Sequence, residues 1–272
     1  MRFARFALFA LLPLVSYTSA AAADDDGASP VVTAASQLYV EYIGSVYFLN
    51  VANISVNARI GAQDYSAAAS FRSAGLLRWF DDTDIQATTV GYVNGQGLEP
   101  WRYEHTNFAS NKGRVVGIDF REGLATPDVN PPFGSMGEPP ATDEERQGAL
   151  DPITVLLNVV LALNFEEDGQ TCQGRLPVFD GKARYDLRFV NVGQDAVRTR
   201  AFRGDALRCQ AFLEPISGYD EGDRPSEEET RRPVTIWLAP IDGVHVPVRF
   251  RAATQIGSIN IQATQVNHLR VE

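Results

Sequence analysis

Between Gln37 and Ile60 apolar and polar residues change places at almost every step, a rhythm that a helix cannot use. Leu38, Val40 and Tyr42 fall on one side of the chain and Tyr39, Glu41 and Ile43 on the other. After Gly44 the alternation resumes with Phe48, Ala52, Ile54, Val56, Ala58 and Ile60, separated in the later part by Asn53, Ser55, Asn57 and Arg59. Period two places successive side chains on opposite faces of a pleat, so this stretch is a long half-buried strand or a hairpin bent near Gly44-Ser45.

The pattern recurs. Tyr65–Arg72, Ile85–Val93, Trp101–Phe108 and Gly113–Arg121 read as further strands, joined at Asn94-Gly95-Gln96-Gly97 and Asn111-Lys112-Gly113, where residues tolerant of positive φ cluster. Leu76–Asp84 fits a helical turn or an irregular crossover as well as a strand. Strands at this spacing, without intervening helical patterns, suit an antiparallel meander rather than βαβ units. The expected fold is mainly β: a strongly curved antiparallel sheet, as an open barrel, half-barrel or β-spiral.

Residues 123–148 interrupt the meander with Pro127, Pro131, Pro132, Pro139 and Pro140 among acids and glycines, and read as a solvated Pro-rich loop rather than a binding lid. Asp151-Pro152 then gives a helix-start signal, an N-cap acid followed by proline at the first helical position. The helix expected over Pro152–Leu163 is apolar nearly all round. Such a helix must be covered on most sides, so it is expected to pack in the concave face of the sheet. Strands return at Val178-Phe179, Ala183–Val192, Val197–Phe202 and Ala206–Phe212. Pro215–Tyr219 is a turn and Glu221–Arg232 a solvated connector. Pro233–Leu238, Val246–Ala252 and Ile256–Thr264 complete the sheet, with Val266–Val271 as a candidate terminal strand.

Arg2 and Arg5 precede a short apolar run from Phe6 to Val15, and Ala20–Ala23 offer small residues for cleavage. That is the grammar of a secretory signal peptide over residues 1–23, followed by a flexible leader at 24–36 and a single β-rich domain at 37–272. The expected location is the periplasm. The chain carries 24 basic and 34 acidic residues, a net charge of −10. This balance argues against nucleic acid and anionic membrane as nonspecific partners, which both require clustered Lys and Arg. No later stretch reaches the length of a transmembrane helix.

Two cysteines, Cys172 and Cys209, in an exported chain are expected to form a disulfide, closing a loop of about 38 residues worth roughly 4 kcal/mol. With His105, His245 and His268 they show no metal-ligand spacing, and no cofactor is expected. No Gly-x-Ser-x-Gly elbow is present, and His105 alternates within a strand. Asp81, Asp82 and Asp84 beside Trp79 and Phe80 read as an acidic turn. Asp180-Gly181 is a tight turn, after which Ala183, Tyr185, Leu187 and Phe189 share one face and Lys182, Arg184, Asp186 and Arg188 the other. Arg184, Tyr185, Arg188 and Tyr219 are the candidates for contact with a ligand or partner. No catalytic or metal residue is assigned.

Asp-Pro-Ile-Thr opening an apolar helix, Val-Phe-Asp-Gly-Lys-Ala-Arg-Tyr-Asp-Leu, Pro-Ile-Ser-Gly-Tyr after the second cysteine, Leu-Ala-Pro and Val-Pro-Val-Arg-Phe together resemble the DUF3108 family of bacterial envelope proteins, from about Leu38 to Thr264. The resemblance implies a periplasmic β-rich protein of unassigned biochemistry and carries over no catalytic residue. The functional expectation is a non-enzymatic periplasmic protein that binds a lipid-like ligand or an envelope partner and supports cell-envelope integrity. The alternatives are a scaffold recruiting partners through a sheet edge, and a hydrolase with an unrecognised site.

Overall fold

The computed structural model describes residues 35–75, 82–95, 97–109, 113–161, 171–254 and 257–271. The expected signal peptide, most of the expected leader, and the expectations placed on Leu76–Asp81, Asn111-Lys112 and the last residues of the central helix lie outside the described residues.

Among the described residues, thirteen strands form one sheet. The first seven are β1 (Ala35–Val46), β2 (Leu49–Ile60), β3 (Asp64–Ser73), β4 (Asp84–Asn94), β5 (Gly97–Asn107), β6 (Val115–Arg121) and β7 (Leu124–Asn130). Helices α1 (Asp143–Arg146) and α2 (Pro152–Leu161) follow, then β8 (Gly174–Phe179), β9 (Arg184–Arg198) and β10 (Arg203–Ser217). Helix α3 (Glu227–Thr230), β11 (Val234–Ile241), β12 (Val244–Thr254) and β13 (Gly257–Val271) complete the chain. The order across the sheet is β7-β6-β5-β4-β3-β2-β1-β13-β12-β11-β10-β9-β8, and every paired neighbour is antiparallel. The expected curved antiparallel sheet with one helix inside it is therefore what the chain forms.

The sheet curls until its edges, β7 and β8, nearly meet, and the segment before α2 stitches them together. Gly148 N–H donates to Gly123 O at 2.8 Å and Arg146 Nη1 to Ala125 O at 2.6 Å on the β7 side. On the β8 side, Leu150 N–H donates to Pro177 O and Phe179 N–H to Leu150 O, both at 2.9 Å. Edge strands left unpaired are templates for aggregation, and this segment engages the start of β7 and the end of β8.

Residues opposite one another in an antiparallel pair share a face, and tracing the register from Leu38, Val40 and Tyr42 identifies the inner wall. It carries Ala58, Ile60, Tyr65, Ala67, Leu98, Tyr103 and Ile118, all buried. Helix α2 fills this half of the bore, touching β3, β4, β5, β8 and β12. Its buried residues include Ile153, Val155, Leu157, Val159 and Val160, but also Thr154 and Asn158. The disulfide Cys172–Cys209 lies on the inner side, with Cα atoms 6.0 Å apart and neither residue exposed.

Several local expectations change. Val197–Phe202, expected as a strand, is the end of β9 and the turn into β10, and Pro215–Ser217, expected as part of a turn, ends β10. Gly44-Ser45 runs through β1 opposite a bulge in β2, whose extra residue is Val51, and the β1–β2 turn is Tyr47-Phe48. Residues 123–148 contain β7 and α1, and the Pro-rich part is fastened rather than free: Glu138 N–H donates to Tyr219 O and Gly218 N–H to Pro139 O, each at 2.9 Å. The connector before β11 is solvent-facing as expected, and it contains the short helix α3, capped by Ser226. Among the described residues no helix is long and apolar enough to cross a membrane.

Candidate functional site

At the end of the barrel where β1 meets β2 and β12 meets β13, the inner wall changes character. Ile54, Phe71 and Ile85 lie opposite one another across β2, β3 and β4, and all are half-buried. Phe250 and Ile261 face each other across β12 and β13, as do Ala252 and Ile259, with Ile259 in turn opposite Val46; these too are half-buried. Lower on the same strands the inner residues Val56, Ala87, Val248 and Ala263 are buried. The wall above α2 is thus an apolar bowl. Its floor includes Tyr42, whose hydroxyl donates to Pro247 O at 2.9 Å and whose ring meets Phe250 edge-on at 5.8 Å.

The helix below the bowl is held by polar contacts that leave little freedom. Asp151 caps α2: its Oδ1 accepts from Ile153 N–H at 2.9 Å and Thr154 N–H at 3.0 Å. Its Oδ2 accepts from the hydroxyls of Thr154 at 2.5 Å and Thr89 at 2.9 Å. Tyr65 Oη lies 2.6 Å from Thr154 Oγ1. Burial pushes the Asp151 carboxyl above the usual range, while these donors pull it down. The arrangement satisfies a buried acid, and its job is to fix the helix in the bore.

His105 sits on the inner wall between Ala87 and Val116, with its ring 5.6 Å from that of Tyr103. Burial lowers its pKa and the nearby Asp180 raises it. Asp180 Oδ1 accepts from the amides of Lys182 at 3.0 Å and Ala183 at 2.8 Å, and burial pushes the acid up. His105 Nδ1 has no hydrogen-bond partner. A base oriented by a carboxylate, as nucleophilic catalysis requires, is therefore not built through that nitrogen. Among the described residues no group of His, Cys, Asp and Glu is arranged to hold a metal ion.

The candidates read from sequence take different structural roles. Arg184 is buried, with Nε donating to Glu145 O and Nη1 to Tyr185 O and Asp186 Oδ1, each at 2.6 Å. It clamps the α1 segment onto the seam. Arg188 Nε donates to Glu214 Oε1 at 2.8 Å, and its guanidinium stacks 4.4 Å from the Phe212 ring centroid. Tyr185 faces inward and packs against the core around the disulfide, with its pKa raised by burial. Tyr219 lies under the Arg224 guanidinium, at 5.7 Å, and burial above all pushes its hydroxyl up to about 12. Arg184, Tyr185 and Tyr219 thus lie near one another around the buried Asp180, whereas Arg188 is engaged by Glu214 and Phe212. The bowl residues, which do lie together, were visible in sequence only as alternating apolar positions, a signal shared by every strand.

A second concavity, about 370 Å³, opens at the opposite end between Asp242, His268, Leu269 and Arg270. Arg270 Nη2 closes part of it by donating to Asp242 O at 2.5 Å.

The fold is similar to that of a solved structure, a β-barrel-like protein of the domain of unknown function DUF1849 from Brucella abortus. The TM-score is 0.51 at 10% identity, over 86% of this chain and 97% of that one. No curated protein matches the sequence. The model of the family described as "Protein of unknown function (DUF3108)" matches residues 37–264, which takes in the wall, the stitched seam and α2, and the chain belongs to that family.

Proposed function

We propose that this protein is an exported carrier that holds an acyl chain or comparable apolar ligand in the bowl above α2. The observation that carries the reading is the burial of the inner wall: full around the helix and partial at the eight apolar side chains above it, with Gly44, Ala52 and Ser73 buried again nearer the rim. A soluble domain normally fills such a bore or lines it with polar groups, and a concave apolar surface left partly bare is what a ligand site looks like. Covering the eight half-buried side chains named above, at roughly 1 kcal/mol each, supplies a gross of about 8 kcal/mol. That is the order micromolar affinity requires before the cost of ordering the ligand.

Export to the periplasm is part of the proposal. It is supported by the N-terminal pattern of residues 1–23 and by the pairing of both cysteines in a disulfide. Recruitment of partners through a free sheet edge has less support, because residues 146–150 engage the start of β7 and the end of β8.

The test is titration with an environment-sensitive fluorescent fatty acid, alongside mass spectrometry of lipids retained on native purification. Saturable binding that is weakened at least tenfold by Phe71→Glu supports the reading. Absence of binding by the unmodified protein, or binding indifferent to Phe71→Glu and Ile54→Glu, overturns it.

A further inference from the structure

The hairpin tip beside the bowl exposes three consecutive apolar side chains: Tyr47 at 73%, Phe48 at 88% and Leu49 at 44%. Phe108, at the β5–β6 turn on the same end of the barrel, is 63% exposed. We propose that this rim docks on a lipid bilayer, with the β1–β2 tip entering the interface between headgroups and acyl chains. Docking there would set the mouth of the bowl against the bilayer, and in that respect it rests on the carrier reading.

Exposure alone would not distinguish a membrane from any other apolar contact. The charge pattern does. From Tyr42 to Ala58, through both arms of the hairpin, there is no Asp, Glu, Lys or Arg, in a chain where 21% of residues are charged. The neighbouring β13 continues the gap, since Ala252–Asn267 is free of charge as well. At about 3.3 Å per residue, the uncharged arm of β1 alone reaches some 15 Å below the tip, more than the ~5–10 Å that interfacial segments enter. A protein partner at a solvated rim imposes no such depth of neutrality. The low-dielectric interface does, because a charge carried into it is expensive.

The turn itself departs from what folding would prefer. Val46 pairs with Leu49, leaving a two-residue turn in which Tyr47 has φ +53°. Glycine, asparagine or aspartate normally takes that place. A tyrosine accepts strain there in return for a ring at the tip, where Tyr and Trp anchor proteins to bilayers. The ring leans over Gly257 of β13, where a Cβ would come within 2.8 Å of it. With a net charge of −10, the protein gains nothing from anionic lipids, so the attachment is apolar.

The experiment is flotation of the protein recovered after export with phosphatidylcholine vesicles, at low and high salt. The double variant Tyr47→Ser/Phe48→Ser is compared with Trp101→Ser, which removes an exposed ring elsewhere on the wall. The expected result is flotation insensitive to salt, reduced at least about tenfold in the double variant and unchanged in Trp101→Ser. No flotation of the unmodified protein, equal flotation of the double variant, or flotation confined to anionic vesicles and abolished by salt overturns the proposal. Fluorescent fatty-acid binding without vesicles is measured on the same proteins. If it is absent from all of them while flotation stands, the carrier reading fails and the docking does not.

Discussion

Asn158, one turn from the end of α2, hydrogen-bonds both backbone groups of Leu98: its Oδ1 accepts from Leu98 N–H at 2.9 Å and its Nδ2 donates to Leu98 O at 3.2 Å. The side-chain amide thus takes the place of a strand neighbour for β5, inside the bore and with no exposure of either residue. Asn158→Leu fills the same volume but leaves two buried backbone groups unpaired, at about 1–3 kcal/mol each. A loss of roughly 2–4 kcal/mol in urea-unfolding stability is expected. Asn158→Asp keeps the acceptor, loses the donor and adds a buried charge, and is expected to do at least as much damage.

Asp151 allows the charge to be separated from the cap. Asp151→Ala removes the acceptor for two amides and two hydroxyls and is expected to cost about 3 kcal/mol or more. Asp151→Asn keeps an oxygen for the amides and escapes the penalty that pushes the buried acid upward, so a loss within about 1 kcal/mol is expected. Similar loss in both variants, measured by thermal unfolding, would mean that the negative charge itself is required.

Acidification should destabilise the fold through its histidines. Burial lowers the pKa of His105, His245 and His268 below the ordinary 6.5. In the window below that value the unfolded chain binds more protons than the folded one, so stability is fully present above it and is lost as pH falls toward the folded values. Asp180 opposes the effect at His105, and Asp242 does so at His268, while Arg270 lowers His268 further. Urea midpoints taken from about pH 8 to about pH 5 should fall, and His105→Gln should flatten part of that slope. At lower pH the raised pKa values of Asp151 and Asp180 work the other way, because their protonation favours the folded state.

Removing the disulfide with Cys172→Ala/Cys209→Ala is expected to cost about 2–5 kcal/mol while leaving the far-UV signature of the sheet intact. The bond spans from the approach to β8 across β9 to β10, and those strands keep their own ladders without it.

Gly218 has φ +83°, and a Cβ there would come within 2.0 Å of Lys182 O. Gly218→Ala should therefore push apart the turn that receives the amide of Glu138 and donates to Pro139. Limited proteolysis between residues 131 and 141 should accelerate, with at most a modest change in the global unfolding midpoint.

Strands were legible where one face is buried, because alternation records burial. Gly44-Ser45 resembled a turn because glycine also serves inside a strand at a close approach, here opposite the β2 bulge, where a Cβ would come within 3.1 Å of Ala52. The actual turn hid behind Tyr47-Phe48, whose chemistry suits a surface other than water. β7 was invisible because Pro127 reads as a loop residue, yet Pro127 and Pro177 sit in the two edge strands, where a missing N–H costs least. Three of the four prolines in the interior strands follow the same logic, since Pro100, Pro215 and Pro247 lie beside register shifts. The bowl left no mark of its own, because sequence shows which side chains point inward and not how far up the bore the helix reaches. Arg184 looked like a surface contact because its partners, Glu145 O and Asp186, depend on how the seam closes.

All but one of the sheet's neighbouring strand pairs are adjacent along the chain; the exception is β1 with β13, where Ala35 lies opposite Val271. The wall therefore cannot be completed until its last fifteen residues arrive. A chain synthesised or threaded from its N-terminus must hold β1 with one flank bare through almost the whole of that process. Stalled synthesis and C-terminal truncation become the same injury, each leaving an unmated strand exposed to whatever else is in the compartment.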